Sequence, residues 1–185
     1  MNLFDEWDGV VYDLDGTVVI LRVDWPTVEE LIRDKIRAAG IETNQRSVWT
    51  ILEIAAERDV LDRVEPTLNR FEIEGAGQSE RLPLADSIPH VPGPVGICSL
   101  NCEAACRRAI AVHDLNDHVD AIIGRDTVRP WKPDPAPLEA AVAALGTPTD
   151  STVFVGDSES DAQTAKAADI PFRYVSDVLE TTESS

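Results

Sequence analysis

Residues 10–18 read Val-Val-Tyr-Asp-Leu-Asp-Gly-Thr-Val. A short apolar run stops at two aspartates one residue apart, and Gly-Thr follows. A run of this length closed by a turn signal is a buried strand. It delivers Asp13 and Asp15 to its carboxyl end, where ligands bind in open α/β sheets. Two further apolar runs end in polar side chains, Val95-Gly-Ile-Cys-Ser99 and Thr152-Val-Phe-Val-Gly-Asp157. Strands are expected near 9–14, 95–99, 119–123, 152–156 and 171–175, and helices near 102–113, 135–145 and 159–168. Gly146 reads as a helix C-cap, and Ser158-x-x-Asp161 as a capping box. The alternation predicts an α/β fold with a parallel, doubly wound sheet.

Two acids in one site repel unless something neutralises them. A hard cation bound by oxygens does so, and Mg²⁺ is the usual choice where phosphate is also bound. One aspartate can then attack phosphorus while the other passes protons. The bland reading of the same residues is a strand followed by an acidic turn. For Asp161 it is a helix-cap carboxylate, and for Ser99 a strand-end hydroxyl.

Lys132 lies in Arg129-Pro-Trp-Lys-Pro-Asp-Pro, and Asp157 opens Asp-Ser-Glu-Ser-Asp161. Asp-x-Asp-Gly-Thr, a hydroxyl after a strand, Lys before Pro, and Gly-Asp-x-x-x-Asp follow one another from residue 10 to 161. This ordered set resembles the haloacid dehalogenase superfamily in its phosphatase branch, with phosphoglycolate phosphatases as the similar members. The resemblance implies a Rossmann-like core and a Mg²⁺-dependent phosphatase of small phosphorylated metabolites that works through an aspartyl phosphate. It implies that Asp13 is the nucleophile and a metal ligand. Asp15 is then the general acid/base and binds the metal through its carbonyl. Ser99 and Lys132 hold the phosphoryl group, Asp157 ligates the metal, and Asp161 supports it. Many relatives have Asn directly after the second-motif hydroxyl. Here Leu100 intervenes, and Asn101 is expected to N-cap the next helix.

The segment between the first two motifs breaks the alternation. Helical spacing marks Thr27–Ala39, Gln45–Asp59 and Leu61–Ile73, the last with a kink or start at Pro66. This resembles the helical cap that members of the superfamily insert there. The expected organisation is a catalytic core of residues 1–20 and 86–185 with a cap at 21–85. Arg22, Trp25 and Trp49 are candidates for its entrance, and each is more commonly a packing or surface residue, as is Trp131.

The formal net charge is −18, from 16 basic and 34 acidic residues, and only Lys35, Lys132 and Lys166 are lysines. No basic cluster exists to release counterions from a nucleic acid. The acidic, lysine-poor balance suits concentrated salt, where screening relieves self-repulsion. No run reaches membrane-spanning length, and the first residues are acidic rather than signal-like, so a cytoplasmic protein is expected. Cys98, Cys102 and Cys106 lack companions for a four-ligand metal site and read as thiols in a reducing compartment. Glu180–Ser185 reads as a polar tail.

A sugar-phosphate mutase of the same superfamily carries the same four motifs. A haloalkanoate dehalogenase is disfavoured by Asp15. A phosphorylated receiver domain is disfavoured by the insertion, and by a third strand that offers only Asp126 as phosphoacceptor. The sequence leaves the oligomeric state open.

Overall fold

Alternation along the first strand sets the layers. In β1 (Gly9–Tyr12), Val10 and Tyr12 face one side of the sheet, and Val11 faces the other. The computed structural model describes residues 4–42 and 47–183, with side chains to Glu180. The expected helix start at Gln45 and the tail residues Ser184 and Ser185 lie outside the described residues.

Parallel partners flank β1 on both sides. β4 (Val95–Cys98) pairs with it in the register Val10↔Val95, and β6 (Thr152–Gly156) in the register Val10↔Val153. β5 (Ala121–Ile123) and β7 (Phe172–Tyr174) complete a sheet of order β5-β4-β1-β6-β7. Helices α4 (Glu103–Val112) and α7 (Val175–Glu183) cover the Val10 face. Helices α5 (Ala136–Leu145) and α6 (Glu159–Ala167) cover the Val11 face. Gly146 adopts the left-handed C-cap after α5, and Ser158 and Asp161 form the capping box of α6.

A second core is wholly helical. α1 (Trp25–Ala38) buries Val28, Ile32 and Ile36, one helical stripe. α2 (Val48–Glu57) buries Val48, Ile51, Leu52 and Ala55 against it. Pro66 begins a helix rather than kinking one: a 3-10 turn at Leu61–Arg63 precedes α3 (Glu65–Ala76). Proline suits that first turn, where its missing N–H costs nothing. Ala76, Leu84, Ala85 and Ile88 pack into the sheet core, not the helical one. The two chain crossings between the cores are joined by a ribbon of β2 (Val19–Ile20) and β3 (Glu80–Arg81), with Arg22 paired to Glu80.

One expectation needs correction at the chain's later end. The last strand, Phe172–Tyr174, falls where it was expected, but helix α7 then runs to Glu183 through what was read as a polar tail. Among the described residues no helix is long and apolar enough to cross a membrane.

Candidate active site

Asp13, Ser99 and Asp157 are each the first residue after a strand, β1, β4 and β6 respectively. Because these strands are adjacent and parallel, all three residues emerge on one edge of the sheet. The Asp13 amide donates to Val155 O (2.8 Å) and the Ser99 amide to Ile123 O (2.9 Å). Their backbones are thus fixed by the ladders that precede them.

Lys132 arrives from the loop between β5 and α5. Its Nζ donates to Asp13 Oδ1 (2.8 Å), Asp161 Oδ1 (2.5 Å) and Cys98 O (3.1 Å). All three ammonium protons are therefore used, and Lys132, Asp13 and Asp161 are all buried. Asp161 turns its other oxygen to Ser158, accepting from the backbone N–H (3.2 Å) and the hydroxyl (2.5 Å). The helix-cap reading of Asp161 holds for one oxygen, and the other oxygen faces Lys132.

Asp13, Asp157 and Asp161 place carboxylate oxygens within 4.8 Å of one another. Burial pushes Asp13 up to about 7 against the pull of Lys132, with Asp161 and Asp157 adding to the rise. Burial, and then Asp161, raise Asp157 above the ordinary carboxylate range. Burial works against the charge on Lys132, yet Asp13 and Asp161 hold its pKa above the usual lysine value. Three clustered carboxylates against one ammonium leave negative charge in excess. An all-oxygen donor set of this kind fits a hard divalent cation.

The Asp15 carboxylate is not one of these three. Its Oδ1 accepts from the Leu21 N–H (2.8 Å). Burial raises its pKa, the Leu21 bond opposes that, and Asp157 and Glu72 add to it. The turn that follows depends on Gly16, at φ +93°: a Cβ there would lie 2.3 Å from Asp157 Oδ2. A side chain at residue 16 would displace an acid of the site.

A cleft of about 540 Å³ runs between α2 and the lysine loop, lined by Glu53, Glu57, Arg129, Trp131 and Lys132 among others. Trp131 packs against the helical core and donates its indole N–H to Arg125 O (2.8 Å). Trp25 and Trp49 pack on each other with ring centroids 6.0 Å apart.

A family model described as haloacid dehalogenase-like hydrolase matches residues 92–175. A phosphoglycolate phosphatase of Cereibacter sphaeroides (strain ATCC 17029 / ATH 2.4.9) is 34% identical, over 89% of this chain and 83% of its own length. The chain belongs to the haloacid dehalogenase-like hydrolases. It is a phosphatase. The phosphoglycolate phosphatase of Escherichia coli (strain K12) is 24% identical over 92% of this chain and 82% of its own. Among solved structures, CbbY from Rhodobacter sphaeroides in complex with phosphate superposes with a TM-score of 0.64 at 13% identity, covering 91% of this chain and 85% of that one. A hydrolase of the superfamily from Geobacter sulfurreducens superposes at 0.60 and 16% identity, covering 90% and 88%.

In this hydrolase Asn101 is not the N-cap of α4. Cys102 takes that position, and its N–H is satisfied by Glu72 Oε2 (3.0 Å) from α3. Sequence reasoning also missed the partner of Glu72. Arg125 donates to Glu72 Oε1 (2.6 Å) and to Leu100 O (2.8 Å), and it is bonded to Asn69. Both members of this ion pair are wholly buried. The three cysteines are free, buried thiols.

Proposed function

We propose that this hydrolase removes phosphate from small phosphorylated metabolites of the phosphoglycolate or sugar-phosphate type, through an aspartyl phosphate on Asp13. The observation that carries the reading is Lys132 Nζ held between Asp13 and Asp161 beside Asp157. Such a constellation binds a phosphoryl group by charge and leaves one buried carboxylate as nucleophile. Asp13, Asp157 and Asp161, with the carbonyl of Asp15, would hold Mg²⁺, which when bound supplies positive charge to the phosphoryl oxygens and to the nucleophile.

In the first half-reaction a carboxylate oxygen of Asp13 attacks phosphorus and the ester P–O bond breaks. Asp15, whose raised pKa suits a proton donor, gives its proton to the departing oxygen. Lys132 attracts the equatorial oxygens by its charge, and the Ser99 hydroxyl hydrogen-bonds one of them. In the second, Asp15 takes a proton from water, the water oxygen attacks phosphorus, and the bond to Asp13 breaks to release inorganic phosphate. The helical segment at 21–85 acts as a cap over this edge of the sheet. A cap there would admit a small ester but obstruct a folded phosphoprotein.

The test is a panel of phosphate esters with the purified protein, with and without Mg²⁺. Mg²⁺-dependent release of inorganic phosphate, abolished by Asp13→Asn, is expected. Full turnover in excess chelator refutes the metal assignment. An isomeric ester appearing without free phosphate assigns the mutase reaction instead.

A further inference from the structure

The Ser99 hydroxyl has one proton, and in this structure the proton is committed. Ser99 Oγ donates to Asn101 Oδ1 (3.0 Å) while accepting from the Asn101 backbone N–H (3.1 Å). The direction of the first bond is dictated from the far side of the amide. Asn101 Nδ2 faces Glu72 Oε1 (3.5 Å), and a carboxylate oxygen paired with the Arg125 guanidinium accepts. The amide must therefore point its NH₂ at Glu72 and its oxygen at Ser99. Arg125 secures Glu72 in turn, and its own backbone N–H donates to Asn101 O (2.9 Å). The Cys106 thiol adjoins Ser99 too. Burial raises its pKa well above the ordinary value, so it stays protonated, and its Sγ faces Asn101 O (3.8 Å) as a donor.

We infer that Asn101 is a positioning residue that competes with the phosphoryl oxygen for the Ser99 proton, with its amide fixed by the buried Glu72–Arg125 pair. The inference rests on the role given to Ser99 under Proposed function. To donate to a phosphoryl oxygen, the hydroxyl must rotate about Cβ–Oγ and abandon Asn101 Oδ1. The exchange is favourable, because a charged acceptor replaces a neutral one, but it leaves a buried amide oxygen without its donor. The backbone bond from Asn101 N–H to Oγ survives any substitution at residue 101 except proline. Deleting the side chain therefore frees the proton without releasing the Ser99 rotamer.

The sign of the effect separates this from simple damage. Calorimetric titration of inorganic phosphate into the full-length protein, at fixed MgCl₂, gives the dissociation constant directly. Asn101→Ala should bind phosphate more tightly, by about fivefold, the scale of one neutral hydrogen bond. Asn101→Leu, nearly isosteric and lacking an acceptor, should do the same and serves if the alanine variant does not fold. Asn101→Asp keeps an acceptor, now charged and facing Glu72, and should bind phosphate more weakly. In a Ser99→Ala background Asn101→Leu should have no further effect. If Ser99→Ala weakens binding but Asn101→Ala and Asn101→Leu weaken it too, or leave it unchanged, the competition is refuted while Ser99 keeps its role. If Ser99→Ala alone leaves binding unchanged, the role of Ser99 falls and the inference falls with it.

Discussion

Replacing Asp13 by asparagine should make the metal-free protein more stable, in a manner set by pH. Asp13 is buried and pushed up to about 7 from 3.8. Below about pH 4 the folded and unfolded chains both carry its proton, and there is no penalty. Between the two values the folded state keeps the proton while the unfolded state has lost it, so stability falls as pH rises. Above 7 the group is ionised in both states, and the folded one carries the whole penalty. At about 1.4 kcal/mol per pH unit this comes to at most about 4 kcal/mol. Asparagine cannot ionise, and its Oδ1 can still accept from Lys132. In EDTA at pH 8, Asp13→Asn should therefore exceed the wild type by about 2–4 kcal/mol, and the gap should close towards pH 4. Urea unfolding followed by tryptophan fluorescence measures it, since the chain has four tryptophans. Saturating Mg²⁺ should shrink or invert the gap at pH 8. A ligand at about 100 times its Kd stabilises by about 2.7 kcal/mol, and the variant lacks one of the carboxylates proposed to hold the ion. A variant less stable than wild type in EDTA at pH 8, or a gap independent of pH, would refute the reasoning. The bond to Lys132 would then outweigh the burial of the charge.

Three further outcomes are expected. Glu72→Ala leaves Arg125 buried and charged without its partner, which should cost about 3–5 kcal/mol, while Glu72→Ala with Arg125→Met should recover part of the loss in the same urea assay. Gly16→Ala should lower kcat by roughly 10²-fold at saturating Mg²⁺, because its Cβ must displace Asp157 by about an ångström; near-normal turnover would show that Asp157 is not needed where it stands. The melting temperature should rise between about 0.1 and 2 M KCl as the −18 charge is screened, steeply at first, and a flat response would remove the argument for adaptation to salt.

The parts legible in the sequence were those whose signal is local. β1, β4 and β6 announced themselves as apolar runs with polar stops, and those stops, Asp13, Ser99 and Asp157, share one edge of the sheet. Val48, Ile51, Leu52 and Ala55 disclosed a buried helical face by spacing alone. The β2–β3 ribbon did not, because two-residue strands have no period to read. Helix α7 was hidden by polar composition, although Val178 is anchored in the sheet core. Asn101 was misread because its environment is supplied from 29 residues earlier, by Glu72. No local rule foretells that a carboxylate from another helix will serve the N–H of Cys102 and leave Asn101 free to face Ser99.

The central place of β1 has a consequence for synthesis. Its partners are Val95 on one side and Val153 on the other, so the first strand made waits longest to be flanked. At roughly 5–20 residues per second, a ribosome needs about 7 to 28 seconds to travel from β1 to β6. During that interval one edge of β1 has no strand to pair with, and Asp13 has neither Lys132 nor Asp157 beside it. The nascent chain is thus both inert and open to wrong pairing until its last third emerges. Fragments ending before residue 152 should aggregate on release, and should gain no Mg²⁺-dependent activity however they are refolded.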